Sequence, residues 1–244
     1  DNRKPCFYKI TLNENVPQKY LNVSAKNIHN IKKVNYLKKY IKNSNFLNDY
    51  DKFNAAIITP DAEIVQNANK LSPAFIVFDI TTYPYKTVAR YKNAEIKPML
   101  FPNIIHDTAR AYNEAYVLVE INDIGEQVAS IMQYDLEYDN LLMASMRGRN
   151  GQQVGSGFSG SKTQMGVRMT QAVKKLGCSN LKTLMEDDKI ITNDYDIIAE
   201  LTTFVQKKQS WEAEDGCHDD LAMCLVIFAW LVAQDYFKEM TDND

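Results

Sequence analysis

Acidic residues at the ends of apolar runs are the first candidates for chemistry in this chain. Glu120 closes the run Tyr116-Val-Leu-Val-Glu, just before the chain turns towards a helix. A carboxylate at the carboxyl end of a strand points into the crevice where α/β proteins bind ligands; the alternative is a surface acid that only marks the strand end. Asp219 and Asp220 follow Gly216-Cys217-His218 and open a segment, Leu221 to Ala233, that is apolar on nearly every face. A helix of that kind is buried, so its first turn must lie near the core. One acid of the pair serves as a cap against the positive end of the helix dipole, and two exceed what a cap requires. Asp61, beside Pro60 and after a weak strand from Phe53 to Thr59, is the third candidate. If the strands carrying Asp61 and Glu120 are neighbours, then Asp61, Glu120 and Asp219 converge at one edge of a sheet. Carboxylates brought that close repel unless cations hold them, and oxygen-only donors select hard ions such as Mg²⁺ or Mn²⁺. Two such ions can activate a water and stabilise the leaving oxygen of a phosphodiester.

The complementary charge is also segregated. Arg147, Arg149, Lys162, Arg168, Lys174, Lys175 and Lys182 fall between residues 147 and 185 without one Asp or Glu. In a chain of formal net charge −3, that segment is a candidate phosphate-binding face, with an incidentally basic helix surface as the alternative. Within it, GSGFSGSKTQ (Gly155 to Gln164) nearly spells an ATP-binding loop, but Ser161 separates the second glycine from Lys162, where such a loop needs Gly-Lys-Ser/Thr. Ser161 with Gln164 instead predicts a capping box on a helix through Met165, Met169, Val173 and Leu176. Lys162 then adds charge at a helix N-terminus already disposed towards phosphate.

These residues need a frame. Strand character is predicted for Ala74 to Ile80 and Tyr85 to Tyr91, a hairpin turning at Thr82-Tyr83-Pro84. A helix from Pro102 to Asn113 follows, then the Glu120 strand, then a helix opened by Asp123 with Glu126 as a capping box. Next come a strand near Leu141 to Met146, a helix ending at Gly177, another from Asn180 to Glu186, a strand Lys189 to Thr192, a helix Tyr195 to Gln206, and the last helix from Asp219. This order predicts an α/β fold, a mixed sheet with helices on its faces. Residues 1–52 differ in texture: Ile28, Ile31, Val34, Leu37 and Ile41 recur at helical spacing with Lys32, Lys33, Lys38 and Lys39 opposite, an amphipathic appendage or linker. Residues 53–244 form the main domain. Composition is ordinary for a globular protein, at 45% hydrophobic and 24% charged. The longest apolar run is too short for a bilayer, so a soluble protein with no membrane partner is expected. Four cysteines without a CxxC pair and three histidines give no zinc spacing and suit a reducing compartment.

At these residues the sequence resembles the nuclease domain of the large terminase subunit of T-even-type tailed bacteriophages. The resemblance is carried by AFIVFDI (Ala74 to Ile80), YVLVEINDIGEQVA (Tyr116 to Ala129), MQYDLEYDNLL (Met132 to Leu142), VKKLGCSNLKTLMEDDKII (Val173 to Ile191) and SWEAEDGCHDDLAMCLVIF (Ser210 to Phe228), in the family's order. It implies a ribonuclease H-like, retroviral integrase-like fold and an Mg²⁺-dependent endonuclease that cuts concatemeric viral DNA during packaging. By this resemblance Glu120 matches the family's strand-end glutamate, Asp219 its late aspartate, and Asp220 the adjacent acid of the same motif, so that Asp61, Glu120, Asp219 and Asp220 are metal ligands. Before the second strand the family has a glycine-containing turn and a second Asp-Tyr; this chain reads PDAEIVQNANKLSP, and Asp61 stands as the equivalent of the first aspartate. That departure keeps an alternative open, a catalytically weak or inactive module that binds DNA or a packaging partner. The resemblance further implies double-stranded DNA, the terminase ATPase domain, the portal and the small terminase subunit as partners, and the host cell cytoplasm as the location. The ATPase half of the family is expected to be absent from these residues.

Overall fold

The computed structural model describes residues 6–8, 56–61, 73–146, 151–155, 163–207 and 210–241. The amphipathic helix expected between residues 28 and 41 lies outside them, as do Arg147, Arg149 and Lys162. Ala56–Asp61 (β2), Ala74–Asp79 (β3) and Tyr85–Lys92 (β4) form an antiparallel meander. Cys6–Tyr8 (β1) pairs antiparallel with the end of β4. After the helix Phe101–Ala111 (α1), Tyr116–Val117 (β5) returns parallel to β2, giving the strand order β1-β4-β3-β2-β5.

The near-continuous apolar runs of β2 and β3 follow from this arrangement, because a sheet covered on both faces buries every residue of its central strands. Alternation sorts them. Ile57, Ile76, Phe78 and Leu118 face one way, while Ala56, Ile58, Phe75, Val77, Val117 and Val119 face the other, where Phe101, Ile105 and Ala109 of α1 cover them.

The first face is covered by Asp220–Val232 (α5), buried at every position from Asp220 to Leu231. It is wedged between the sheet and Gln171–Glu186 (α3), which explains why it is apolar all round. The Phe78 and Phe228 rings stack with centroids 3.9 Å apart. The two helices predicted on either side of Gly177 are one. Gly177 is a contact glycine, not a stop: a Cβ there would sit 2.5 Å from the Val226 carbonyl oxygen of α5. Backbone approach, not helix termination, selects it.

Other expectations are corrected by tertiary pairing. Gly125–Ser130 (α2) begins without a side-chain cap, and Asp123 is left-handed at φ 45°, so the Asp123–Glu126 capping box does not form. Thr163–Met165 (β8) is a strand, joined with Met143–Met146 (β6) and Gln152–Gly155 (β7) in a three-stranded sheet of order β7-β6-β8. The helix expected from Ser161 therefore starts later, at Gln171, with Thr170 accepting a capping bond from the Val173 N–H. Gln164 is a strand residue bonded to the side chain of Gln152. After Ile190–Ile191 (β9), Tyr195–Thr203 (α4) ends earlier than predicted, because Phe204–Lys207 (β10) and Ser210–Ala213 (β11) form a hairpin instead. Asp235–Thr241 (α6) closes the described chain.

Candidate metal-dependent nuclease site

The β2–β5 register aligns Ile57 with Tyr116 and Ile58 with Val117. The pairing continues past the assigned strand: the Leu118 N–H donates to Ile58 and the Glu120 N–H to Pro60, at 3.0 and 3.1 Å. Carried forward three residues, this register sets Asp61 beside Glu120 at the carboxyl ends of adjacent parallel strands. Side chains alternate along each strand. Asp61 shares its face with Ile57 and Thr59, and Glu120 shares its face with Leu118. That is the α5 face, where the Thr59 hydroxyl donates to the Cys224 carbonyl at 2.9 Å. Asp61 and Glu120 are 5% and 3% exposed, so both carboxylates sit at the edge of the core.

The start of α5 lies on the same side. Asp219 holds its N-cap position but makes no capping bond; its Oδ2 accepts from the Ala213 N–H at 3.3 Å. The cap comes from elsewhere in the chain. Glu200 of α4 accepts from the Leu221 and Ala222 N–H groups through Oε2, at 2.7 and 3.1 Å. Its Oε1 receives Lys92 Nζ at 2.6 Å, and the same ammonium pairs with Asp220 Oδ2 at 2.7 Å. Burial pulls the Lys92 ammonium towards neutrality, but the Asp220 and Glu200 carboxylates outweigh it and raise its pKa above the usual lysine value. Arg90, two residues back and on the same face, pairs with Asp194 and Asp196 at the start of α4. In the second turn of α5, burial first and then the Asp61, Glu200 and Asp220 carboxylates push the Cys224 thiol well up. Asp61, Glu200 and Asp220 therefore act on one small region.

On its other side the Glu120 strand meets Gly166 and Val167. Glu120 bridges Val167, the Val167 N–H donates to Val119 and the Ile121 N–H to Val167, at 2.8 and 2.9 Å. Gly166, at φ 111°, passes so close that a Cβ would lie 2.3 Å from the Val119 oxygen. Arg168 follows at once. The buried Gln152 side chain treats Arg168 as a strand partner, donating to its carbonyl at 2.6 Å and accepting from its N–H at 2.8 Å. Asn122 does the same for Met169, at 3.2 and 3.0 Å. The Arg168 side chain is half exposed, 3.8 Å from Glu126. The remaining described basic residues lie on α3: Lys174 stands 5.9 Å from the centre of the Phe204 ring, Lys175 is exposed, and Lys182 makes a surface pair with Glu186.

The donor set suits a hard divalent cation, since it consists of carboxylate oxygens. Among the described residues, no three His, Cys, Asp or Glu side chains are gathered closely enough to enclose an ion. Strand register sets Asp61 and Glu120 side by side, and Asp219 is not gathered with them into such a cluster. A groove along the β10–β11 hairpin is lined by Lys207, Glu212, Glu214 and Asp215 among others, but by none of these three acids; two of its acids are paired with Lys207. Sequence reasoning missed Lys92, Glu200 and Gln152. Their signal was weak: a buried-pattern acid between Ile197 and Leu201, and polar residues alternating with apolar ones in β4 and β7.

With β5 parallel to β2 beside the antiparallel β2-β3-β4 meander, and acids at or just past the ends of both parallel strands, the mixed sheet is of the ribonuclease H-like class. Residues 71–235 match the family model described as the terminase RNaseH-like domain. The chain belongs to that family. The match includes Glu120 and Asp219 but begins beyond Asp61, whose position rests on strand register. Among solved structures, the fold is similar to the large terminase nuclease of thermophilic phage G20c with bound magnesium, at 20% identity and TM-score 0.52 over 72% of this chain and 80% of that one. The cobalt-bound form of the same nuclease gives 21% identity and TM-score 0.51, covering 72% and 80%. The large terminase nuclease domain of Thermus phage P74-26 gives 20% and 0.50, covering 71% and 77%.

Proposed function

We propose that this chain is a metal-dependent endonuclease that hydrolyses DNA phosphodiester bonds, cutting concatemeric viral DNA in a genome-packaging motor. The observation that carries the reading is the in-register pair Asp61–Glu120, buried at adjacent strand ends on the face turned towards the start of α5. Carboxylates set side by side at adjacent strand ends supply the oxygen donors that a hard divalent cation takes. Asp61, Glu120 and Asp219 are the residues that would hold divalent ions, Mg²⁺ by preference with Mn²⁺ able to substitute, as the magnesium- and cobalt-bound relatives suggest. Bound there, such ions lower the pKa of an attacking water and neutralise the leaving oxygen. The protein's own contribution is to fix the acids on rigid strands and to hold Arg168, through Gln152, beside the Glu120 strand, where it can orient a phosphate. Asp220, paired with Lys92, is read as an anchor of α5 rather than as a ligand.

Arg147, Arg149, Lys162, Lys174 and Lys175 complete the proposed DNA-contacting set. They would bind backbone phosphates and so position the duplex without reading its sequence. GSGFSGSKTQ is not read as an ATP site, since its last residues enter β8 rather than a helix. The ATPase domain, portal and small terminase subunit are the proposed partners, and the host cytoplasm the proposed setting. No single described helix is long and apolar enough to cross a membrane; a bent pair formed by α5 and α6 passes by length and composition, but α5 is buried in the core.

The test is plasmid cleavage with Mg²⁺. The protein should nick or linearise DNA, and Glu120→Ala should lower the rate at least about a hundredfold, as removal of a group that stabilises reacting charge does. Cleavage unchanged by Glu120→Ala sinks the reading. A second reading, DNA binding without cutting, is favoured by the lack of a closed three-acid cage among the described residues. Under it, DNA binding persists while Mg²⁺ titration gives no heat and no cleavage.

A further inference from the structure

We propose that Glu200 is a positioning residue for the metal-binding acids, an inference that rests on the nuclease reading above. A residue at the N-cap of a helix normally folds its side chain back to accept from the second and third N–H groups of the first turn. For α5 those are the N–H groups of Leu221 and Ala222, and the N-cap residue is Asp219. Both N–H groups are already taken, by Glu200 Oε2 at 2.7 and 3.1 Å. The Asp219 carboxylate makes no capping bond.

Glu200 thus performs from α4 the task that sequence position gives to Asp219. It is held there by Lys92 at 2.6 Å, itself anchored by Asp220 at 2.7 Å. Glu200 is 8% exposed and Asp220 is 2% exposed, so this arrangement has little room to rearrange. The effect is to release Asp219 from its own helix, so that its carboxylate, whose Oδ2 accepts from the Ala213 N–H at 3.3 Å, can also serve an ion shared with Asp61 and Glu120. Without Glu200, the two vacated N–H groups would compete with that ion for the Asp219 carboxylate.

The experiment is titration of Mn²⁺, followed by the paramagnetic resonance of the free ion, with thermal unfolding recorded on the same samples. Glu200→Ala should weaken Mn²⁺ binding about tenfold or more, the range seen when a group that orients a ligand is removed. Glu200→Gln keeps an acceptor oxygen for the two N–H groups and should stay within about threefold of the parent. Loss of stability alone moves melting temperature but not the ratio of these two affinities. If Glu200→Ala does not fold, Glu200→Asp replaces it: one methylene shorter, it cannot span to both N–H groups and should show the same weakening. A folded Glu200→Ala or Glu200→Asp protein with parental Mn²⁺ affinity overturns the inference, and so does Glu200→Gln weakened as much as Ala. If the parent binds Mn²⁺ and Glu120→Ala abolishes it, the nuclease reading stands whatever Glu200 does. A parent that binds no Mn²⁺ overturns both.

Discussion

Lys92 carries more than a surface lysine does. One ammonium balances Glu200 and Asp220, both buried, and their carboxylates outweigh the pull of burial towards neutrality. Removing the cation leaves two carboxylates in a low-dielectric site, and breaking such a cluster costs more than the pair contributes when intact. Lys92→Met is expected to destabilise the protein by about 3 kcal/mol, read as a lower urea midpoint at unchanged slope, and Lys92→Arg to recover most of it. Equal midpoints for Met and Arg would mean that packing of the stem, not charge, is what matters there. At this scale the sequence was partly legible. Glu120 stood out because it ends an apolar run, and Asp219 because it stands with Asp220 at the start of one, where two acids exceed what a cap requires. Asp219 was nevertheless assigned a share in capping that Glu200 performs, because a bond between residues twenty apart leaves no mark on local spacing.

At the scale of elements, close backbone approach decides where glycine must stand. Gly177 lies mid-helix, where glycine costs helix stability, yet a methyl there would meet the Val226 carbonyl at 2.5 Å. Gly177→Ala is therefore expected to destabilise by about 1–3 kcal/mol, as overpacking does, instead of stabilising as it would in an exposed helix. A higher melting temperature for the alanine variant would refute this. The same competition explains the misread boundaries. Ser161 and Gln164 have the spacing of a capping box, but β6 offers Gln164 a strand partner and Gln152 bonds its side chain. Tertiary hydrogen bonds of that kind outweigh a local preference of about a kcal/mol. The meander, α1 and α5 were read correctly, since their apolar periodicity is set by burial on the sheet and is written residue by residue.

At the scale of the molecule, two properties follow from summed charge and burial. Burial pushes the Tyr91 phenol up to about 12, against a hydrogen bond with Asn93 that lowers it. Lys92 is also raised. Both groups hold their protons longer in the folded state than in the unfolded chain. Their contribution is thus present below pH 10 and is lost as pH rises towards 12, when the unfolded chain releases protons first. For Tyr91 alone the loss is on the order of 3 kcal/mol by pH 12. Chemical unfolding between pH 8 and pH 12 should show a plateau and then a fall, and Tyr91→Phe should soften the fall. A chain of net charge −3 must bind DNA through a local basic patch, so its affinity should drop steeply with salt. Arg168→Ala should reduce the slope of log affinity against log salt by about 1; an unchanged slope would remove Arg168 from the interface.

The sequence by itself determined the covered sheet and the buried helix that follows Asp219, and it singled out two candidate acids, because each is written in the type and period of residues close together along the chain. It also carried the resemblance to a terminase nuclease domain, which the match over residues 71–235 bears out at the level of the terminase RNaseH-like family. Only the tertiary structure decided that Asp61 stands in register with Glu120, that Glu200 caps α5 in place of Asp219, and that Gln152 holds the Arg168 backbone beside the Glu120 strand. Those relations depend on strand order and on hydrogen bonds between residues far apart, and such distances exist only once the chain has folded.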